Sequence, residues 1–239
     1  MSLRIVSLVP SSTETLLALG AQVVACTKYC EQPHIAHVGG SKNPDIGAIV
    51  DLGPDLVVLD REENRIEDHD ALVAAGVAVF VSDVTDLATA FAVVDDLAAA
   101  AGVDATGHAV RVPSTVNVTR PVPGRSTAFV PIWRRPWMTI GRATYGASLL
   151  DALGFDVLQF GDDAYPTVDL VDVADAAPDV VIVPSEPYEF DDGHLSEIAD
   201  AMPAASIVRV DGQDLFWWGI RTPAALDRLA RELAPPSTH

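Results

Sequence analysis

Lysine is almost missing from this chain of 239 residues: it occurs only at Lys28 and Lys42, against 34 aspartates and glutamates. The formal charge of −19 excludes nucleic acid as a partner, because a phosphate backbone demands a basic footprint. Cysteine is scarce as well. Cys26 and Cys30 stand too close together to staple lobes and are too few for a secreted disulfide framework. Long apolar runs are absent: Leu56–Leu59 and Ala98–Ala101 fall far short of the ~20 residues a bilayer crossing takes. The opening MSLRIVSLVP runs almost directly into a strand, without a basic n-region, an apolar h-region or a cysteine placed for lipid attachment. The expectation is a chain that works in the cytoplasm as written, or outside it once a leader has been removed. There is no G-x-G-x-x-G, Walker A lysine, G-x-S-x-G elbow or H-E-x-x-H. No catalytic residue is therefore nominated, and no resident cofactor is required. The one set with acid–base character is Glu62, Glu63, Glu186 and Glu189.

What is present is a large apolar fraction, 49%, with 21% charged residues, the balance of a globular chain. The first half reads as strands at Arg4–Val9, Gln22–Cys26, Leu56–Asp60 and Val77–Ser82, alternating with helices after PSSTE, at Asp45–Leu52 and at Ile66–Ala75. Near-continuous Val/Ile/Leu strands alternating with helices predict a parallel sheet covered on both faces. The order then returns. Glu14–Cys26 lines up with Ser148–Phe160, Asp51–Asn64 with Asp175–Tyr188, and Arg4–Val9 with Thr127–Ile132. A repeat this long is not a solenoid unit. It predicts an α/β fold of two similar parallel-sheet lobes joined by a helix, with a ligand cleft between them. The lobes are residues 1–85 and 126–239. Residues 86–125 connect them: a helix over Asp86–Ala101, a short helix over Asp104–Val112 and a proline-rich linker over Pro113–Arg125.

The second lobe carries an insertion between strand and helix, within FVPIWRRPWMTIGRATYG (Phe129–Gly146), read as a strand followed by a loop. Loops after strands share the carboxyl edge of such sheets, where ligands bind. All four tryptophans (Trp133, Trp137, Trp217, Trp218) and all four tyrosines (Tyr29, Tyr145, Tyr165, Tyr188) fall in these loops. Aromatics gathered at one edge form a binding surface with little entropy to lose, or they glue the lobes together. Lys28, Arg61, Arg134, Arg135, Arg142 and Arg221 sit beside them. They suit a ligand with carboxylate or phosphate groups, or neutralise the neighbouring glutamates. Cys26, Cys30, His34 and His37 have loose metal-ligand spacing, with Cys30 and His34 the metal candidates. His69, His108 and His194 read as scattered and solvated, and His239 as a tail. Pro10–Glu14 predicts a helix start with Ser11, Ser12 or Thr13 as N-cap, a place that can also hold an anion.

The stretches IVSLVPSSTETLLALG, TKYCEQP, VGGSKNPD, PDLVVLDREEN, VPIWRRPWMTIGRATY, PDVVIVPSEPYEF and VDGQDLFWWGIR resemble the helical-backbone metal-receptor type of ABC-transporter substrate-binding protein, the receptors for vitamin B12, haem and ferric siderophores. The resemblance implies a monomeric, non-enzymatic receptor for a small-molecule ligand of the cobalamin, haem, ferric siderophore or metal-ion class. It implies an ABC permease as partner, docked by an outer carboxylate on each lobe, with Glu67 and Glu197 as candidates. Carried over by position, the cleft is lined by Tyr29, Cys30, Arg61, Glu62, Trp133, Trp137, Tyr145, Tyr188 and Trp217. The loop reading adds Arg134, Arg142 and Trp218. The rival expectation is a cytosolic metal-handling protein or enzyme on the same fold, using Cys30, His34 and the Glu62, Glu63 and Glu186 carboxylates.

Overall fold

A computed structural model describes residues 2–104 and 125–234. The chain divides into two compact units: Met1–Val84 with Ala88–Arg111 and Trp218–Arg221, and Thr85–Leu87 with Val112–Trp217 and Thr222–His239. The helix expected over 104–112 and the linker over 113–125 fall almost wholly outside the described residues, as do His108 and His239.

The first unit runs β1 (Arg4–Ser7), α1 (Pro10–Ala18), β2 (Gln22–Cys26), three two-residue strands β3 (Ala36–His37), β4 (Gly39–Gly40) and β5 (Asn43–Pro44), then α2 (Ile46–Asp51), β6 (Leu56–Asp60), α3 (Ile66–Ala74), β7 (Val79–Ser82) and α4 (Leu87–Ala101). Its sheet has the order β3-β2-β1-β6-β7, and every pairing is parallel. Successive strand residues point to opposite faces. Ile5, Leu56 and Val58 accordingly pack with Leu16 of α1 and with Leu97 and Ala101 of α4. Val23 joins them, and beyond it the β1–β2 register shifts and turns Ala25 to the other face. Val6, Ala25, Val57 and Leu59 pack with Ile49 of α2 and Leu72 of α3. All five residues of β6 are buried, which is why that strand reads as an unbroken apolar run ending in an acid. Sequence sets residues 86–125 apart as a connector; in the structure α4 packs with the first unit from Ala88 onward.

One local expectation is corrected here. The N-cap of α1 is Val9, with Pro10 the first helical residue. Proline presets φ for a helix and lacks an N–H that would be orphaned there anyway. The Ser11, Ser12 and Thr13 side chains therefore lie buried in the first turn. Thr13 and Thr15 donate their hydroxyls back to the Val9 and Ser11 carbonyls, at 2.8 Å each.

The second unit runs β8 (Ser126–Phe129), β9 (Pro131–Trp133), β10 (Trp137–Thr139), α5 (Tyr145–Ala152), β11 (Phe155–Val157), β12 (Thr167–Val168), α6 (Leu170–Asp175), β13 (Val180–Pro184), α7 (Asp192–Ala201), β14 (Ser206–Val210), α8 (Gly212–Phe216) and α9 (Thr222–Glu232). Its main sheet, β11-β8-β13-β14, is parallel throughout. It matches β2-β1-β6-β7 strand for strand, as the aligned segments require. The addition is a three-stranded sheet, β12-β10-β9, antiparallel at both pairings. The tryptophan stretch expected as a loop is thus a β-hairpin. Arg134, Arg135 and Pro136 form its turn, and backbone pairing with Thr167–Val168 supplies the order that W-R-R-P-W does not advertise.

Candidate functional site

The hairpin sorts its two tryptophans by register. Met138 lies opposite Trp133, and residues directly opposite share a face of a sheet. Trp137 is the next residue along and faces the other way. Trp133 is accordingly 44% exposed and Trp137 only 7%. Trp137 belongs to the core of the second unit with Phe129, Val168, Val181 and Phe190, and its ring stacks on Phe190 at 5.8 Å and 3°. The expectation that Trp137 presents a ring to ligand is corrected: its ring is core packing. Trp133 instead meets the edge of Tyr188 at 5.2 Å, and Tyr188 leans on Phe190 at 4.9 Å.

Two members of this aromatic group, Phe190 and His194, are not among the sequence candidates. Asp191 is the N-cap of α7, and its carboxylate accepts from the His194 backbone N–H at 2.9 Å. The His194 Nδ1 accepts from the Asp191 N–H at 3.1 Å. This is a capping box with histidine at N3; the D-x-x-H spacing was the available signal. The His194 ring abuts the rings of Tyr188 at 5.6 Å and Phe190 at 6.0 Å, so the reading of His194 as a solvated residue is corrected.

Arg134 lies over the Trp137 ring at 4.7 Å and forks onto Glu197, with Nε–Oε2 at 3.1 Å and Nη2–Oε1 at 2.8 Å. Both groups, nominated for separate tasks, are thereby engaged with each other. Arg135 is the exposed arginine at the hairpin tip. Nearby, the half-buried Trp217 donates its indole N–H to Glu186 Oε1 at 2.7 Å, and the Gly212 N–H donates to Ser185 Oγ at 2.9 Å. A Cβ on Gly212 would come within 2.6 Å of the Glu186 backbone nitrogen, so glycine is what lets these loops close together. Tyr145 is buried, 5% exposed, with its hydroxyl 2.9 Å from that of Thr222. It serves the core rather than a ligand. Arg142 lines a separate cavity of about 530 Å³, with Asp86, Ser148, Asp151, Asp156 and Gln159.

In the first unit, Tyr29 is 54% exposed with Lys28 Nζ 5.0 Å from its ring centre. Arg61 is exposed and pairs with Asp83 at 2.7 Å. Glu62 lies in the turn after β6, where its N–H donates to Asp60 Oδ1 at 2.9 Å. Asp60 is 4% exposed and also accepts from the Ser82 hydroxyl at 2.7 Å and from the Glu63 N–H at 3.3 Å. Burial raises its pKa despite these donors. Trp218 is core, 5% exposed. The segment behind it is fastened to α1: Arg221 forks onto Glu14 at 2.7 and 3.0 Å, and the Ile220 N–H donates to Thr15 Oγ1 at 3.2 Å. Gly219, at φ +110°, passes Thr15 so closely that a Cβ would lie 2.2 Å from its Oγ1. Cys30 is buried and His34 exposed. Among the described residues no group of three or more His, Cys, Asp or Glu side chains gathers as a metal site.

The comparisons with known proteins agree in direction. The family model described as periplasmic binding protein matches residues 5–205. The vitamin B12-binding protein of Yersinia pestis (strain Pestoides F) is 28% identical over 193 residues, 75% of this chain and 69% of that one. The periplasmic vitamin B12 binding protein of Vibrio cholerae superposes with a TM-score of 0.79 at 18% identity, covering 97% of this chain and 96% of that one. The periplasmic haem binding protein of the same organism gives 0.79 at 21% identity, covering 98% and 99%. No described helix is long and apolar enough to cross a membrane. The fold, the doubled sheet order and the family match lead to one conclusion: this chain belongs to the periplasmic binding protein family.

Proposed function

We propose that this protein is the substrate-binding component of an ABC-type importer, holding a bulky, metal-containing macrocycle of the corrinoid or haem class and releasing it unchanged to a permease. The observation that carries this reading is Trp133. A large ring 44% exposed, steadied on one edge by Tyr188 and set on a paired strand, offers stacking area that is already ordered. Tyr29 offers a second exposed ring on the first unit. Arg135 at the hairpin tip is placed for the acidic or phosphate groups such macrocycles carry, whereas Arg61, Arg134 and Arg221 already hold Asp83, Glu197 and Glu14. The names of the relatives, vitamin B12-binding and haem-binding, support the ligand class.

The test is titration of the purified chain with cyanocobalamin, haemin and zinc, followed by absorbance and calorimetry. The reading expects saturable binding of one macrocycle class, its recovery without chemical change, and zinc binding at least tenfold weaker. Binding of zinc alone, or turnover of the macrocycle, overturns it.

A further inference from the structure

Cys26 ends β2, and Cys30 lies in the following loop, one residue beyond Tyr29. The two thiols are 0% and 2% exposed. They are free and hydrogen-bonded side chain to side chain. Two further groups converge on the second sulfur: the hydroxyls of Thr13, from α1, and Thr27, each 3.2 Å from Cys30 Sγ.

Counting protons separates the two sulfurs. A hydroxyl carries one proton and accepts others. Thr27 Oγ1 accepts the Tyr29 N–H at 3.3 Å, so its own proton is available to the sulfur. The Thr13 proton is shared between Cys30 Sγ and the Val9 carbonyl, 2.8 Å away. With the Cys26 S–H as a third donor, Cys30 sits where negative charge on sulfur is met by hydrogen bonds, and Cys26 is the proton holder. The acidities follow this arrangement. The Cys26 hydrogen bond chiefly lowers the Cys30 pKa to about 6, against the upward push of burial, and Cys26 is raised. Lys28, Tyr29 and Glu31 around Cys30 are exposed, so only this one loop separates Cys30 from solvent.

We propose that Cys26 and Cys30 form a reversible dithiol–disulfide couple, with Cys30 the attacking sulfur and Cys26 the resolving one. The oxidant is an external disulfide, of a small thiol or of a protein. Cys30 thiolate attacks one of its sulfurs, forming a mixed disulfide and expelling the other half as thiolate. Cys26 gives up its proton and attacks Cys30 Sγ; the Cys26–Cys30 bond forms and the second half leaves as thiolate. Two protein thiols are oxidised and one external disulfide is reduced to two thiols. The nucleophilic order follows thiolate character. The couple stands on its own geometry and does not depend on the ligand reading above.

The experiment equilibrates the full chain with mixtures of reduced and oxidised glutathione, quenches with acid and weighs the intact protein. The wild type is expected to pass in one transition to a form lighter by two hydrogens, without accumulating a glutathione adduct. Cys26→Ser is expected to stop at one mixed disulfide on Cys30. Cys30→Ser is expected to react at least tenfold more slowly, through Cys26. Two free thiols persisting in the wild type under oxidised glutathione overturn the couple. Equal rates in the two variants overturn the assignment of the attacking sulfur. The wild-type measurement needs no substitution, so misfolding of a variant does not remove the test.

Discussion

The two units solve the amino edge of their sheets in the same way and the carboxyl edge in opposite ways. At the amino edge, Asp55 and Asp179 stand just before β6 and β13. Asp55 Oδ2 accepts the Arg4 N–H at 2.8 Å, and Asp179 Oδ2 accepts the Thr127 N–H at 2.7 Å. Their own N–H groups return to the carbonyls of Arg4 and Thr127 at 2.9 and 3.0 Å. At the carboxyl edge the aligned strands end in Asp60 and Pro184. The first turn is drawn around a buried carboxylate. The second is followed by aromatic rings packed on an inserted hairpin. A frame kept at one edge and rebuilt at the other separates the residues that hold the fold from those proposed above to meet a ligand. The rebuilt edge of the second unit is where a large ring faces solvent.

The largest effect should come from the buried ring of that edge. Trp137→Ala removes a stacked partner of Phe190 from a closed core and is expected to cost about 3–5 kcal/mol in denaturant unfolding. A cost under 1 kcal/mol would mean that the hairpin is not part of the core. Next comes the carboxylate of the first unit. Asp60→Ala removes one acceptor from the Ser82 hydroxyl and from the N–H groups of Glu62 and Glu63, at an expected cost of about 2–3 kcal/mol; an unmoved urea midpoint would contradict the buried-acid turn.

The pH dependences should differ in sign. Asp60 has its pKa raised by burial, so the native state binds more protons than the unfolded one. Its contribution therefore falls as pH climbs from the unfolded value of about 4 to the raised native value, and Asp60→Asn should remove that decline. Asp179 has its pKa lowered, chiefly by the Thr127 backbone N–H. Its contribution is present above pH 4 and lost as pH falls through the depressed native value, so Asp179→Asn should flatten the acid limb. Parallel changes in the two variants would erase the contrast. The smallest effect belongs to the shared edge: Asp55→Ala and Asp179→Ala should lower the unfolding midpoint slightly and by similar amounts, and a large inequality would deny the equivalence.

The frame was legible because its signals are local and periodic. Unbroken apolar runs such as Leu56–Val58 announce strands buried on both faces, and aligned segments announce the doubling. The candidate site was legible in composition but not in orientation. Trp133 and Trp137 are the same residue type four positions apart, and nothing in W-R-R-P-W separates them. The distinction arises from pairing with Met138 and Val168, a long-range register. Arg134 looked available because Glu197 lies 63 positions away, and ion pairs of that separation leave no mark on a linear pattern. His194 looked solvated because a capping box ordinarily carries Glu or Gln at N3.

The central claim is that an exposed ring on the rebuilt edge takes the ligand while the buried ring beside it holds the fold. Paired binding isotherms of wild type and Trp133→Ala with the macrocycle that the wild type retains test it most directly. The account predicts a dissociation constant raised at least tenfold, ~1.4 kcal/mol, with the unfolding midpoint unchanged. Superimposable isotherms would contradict it.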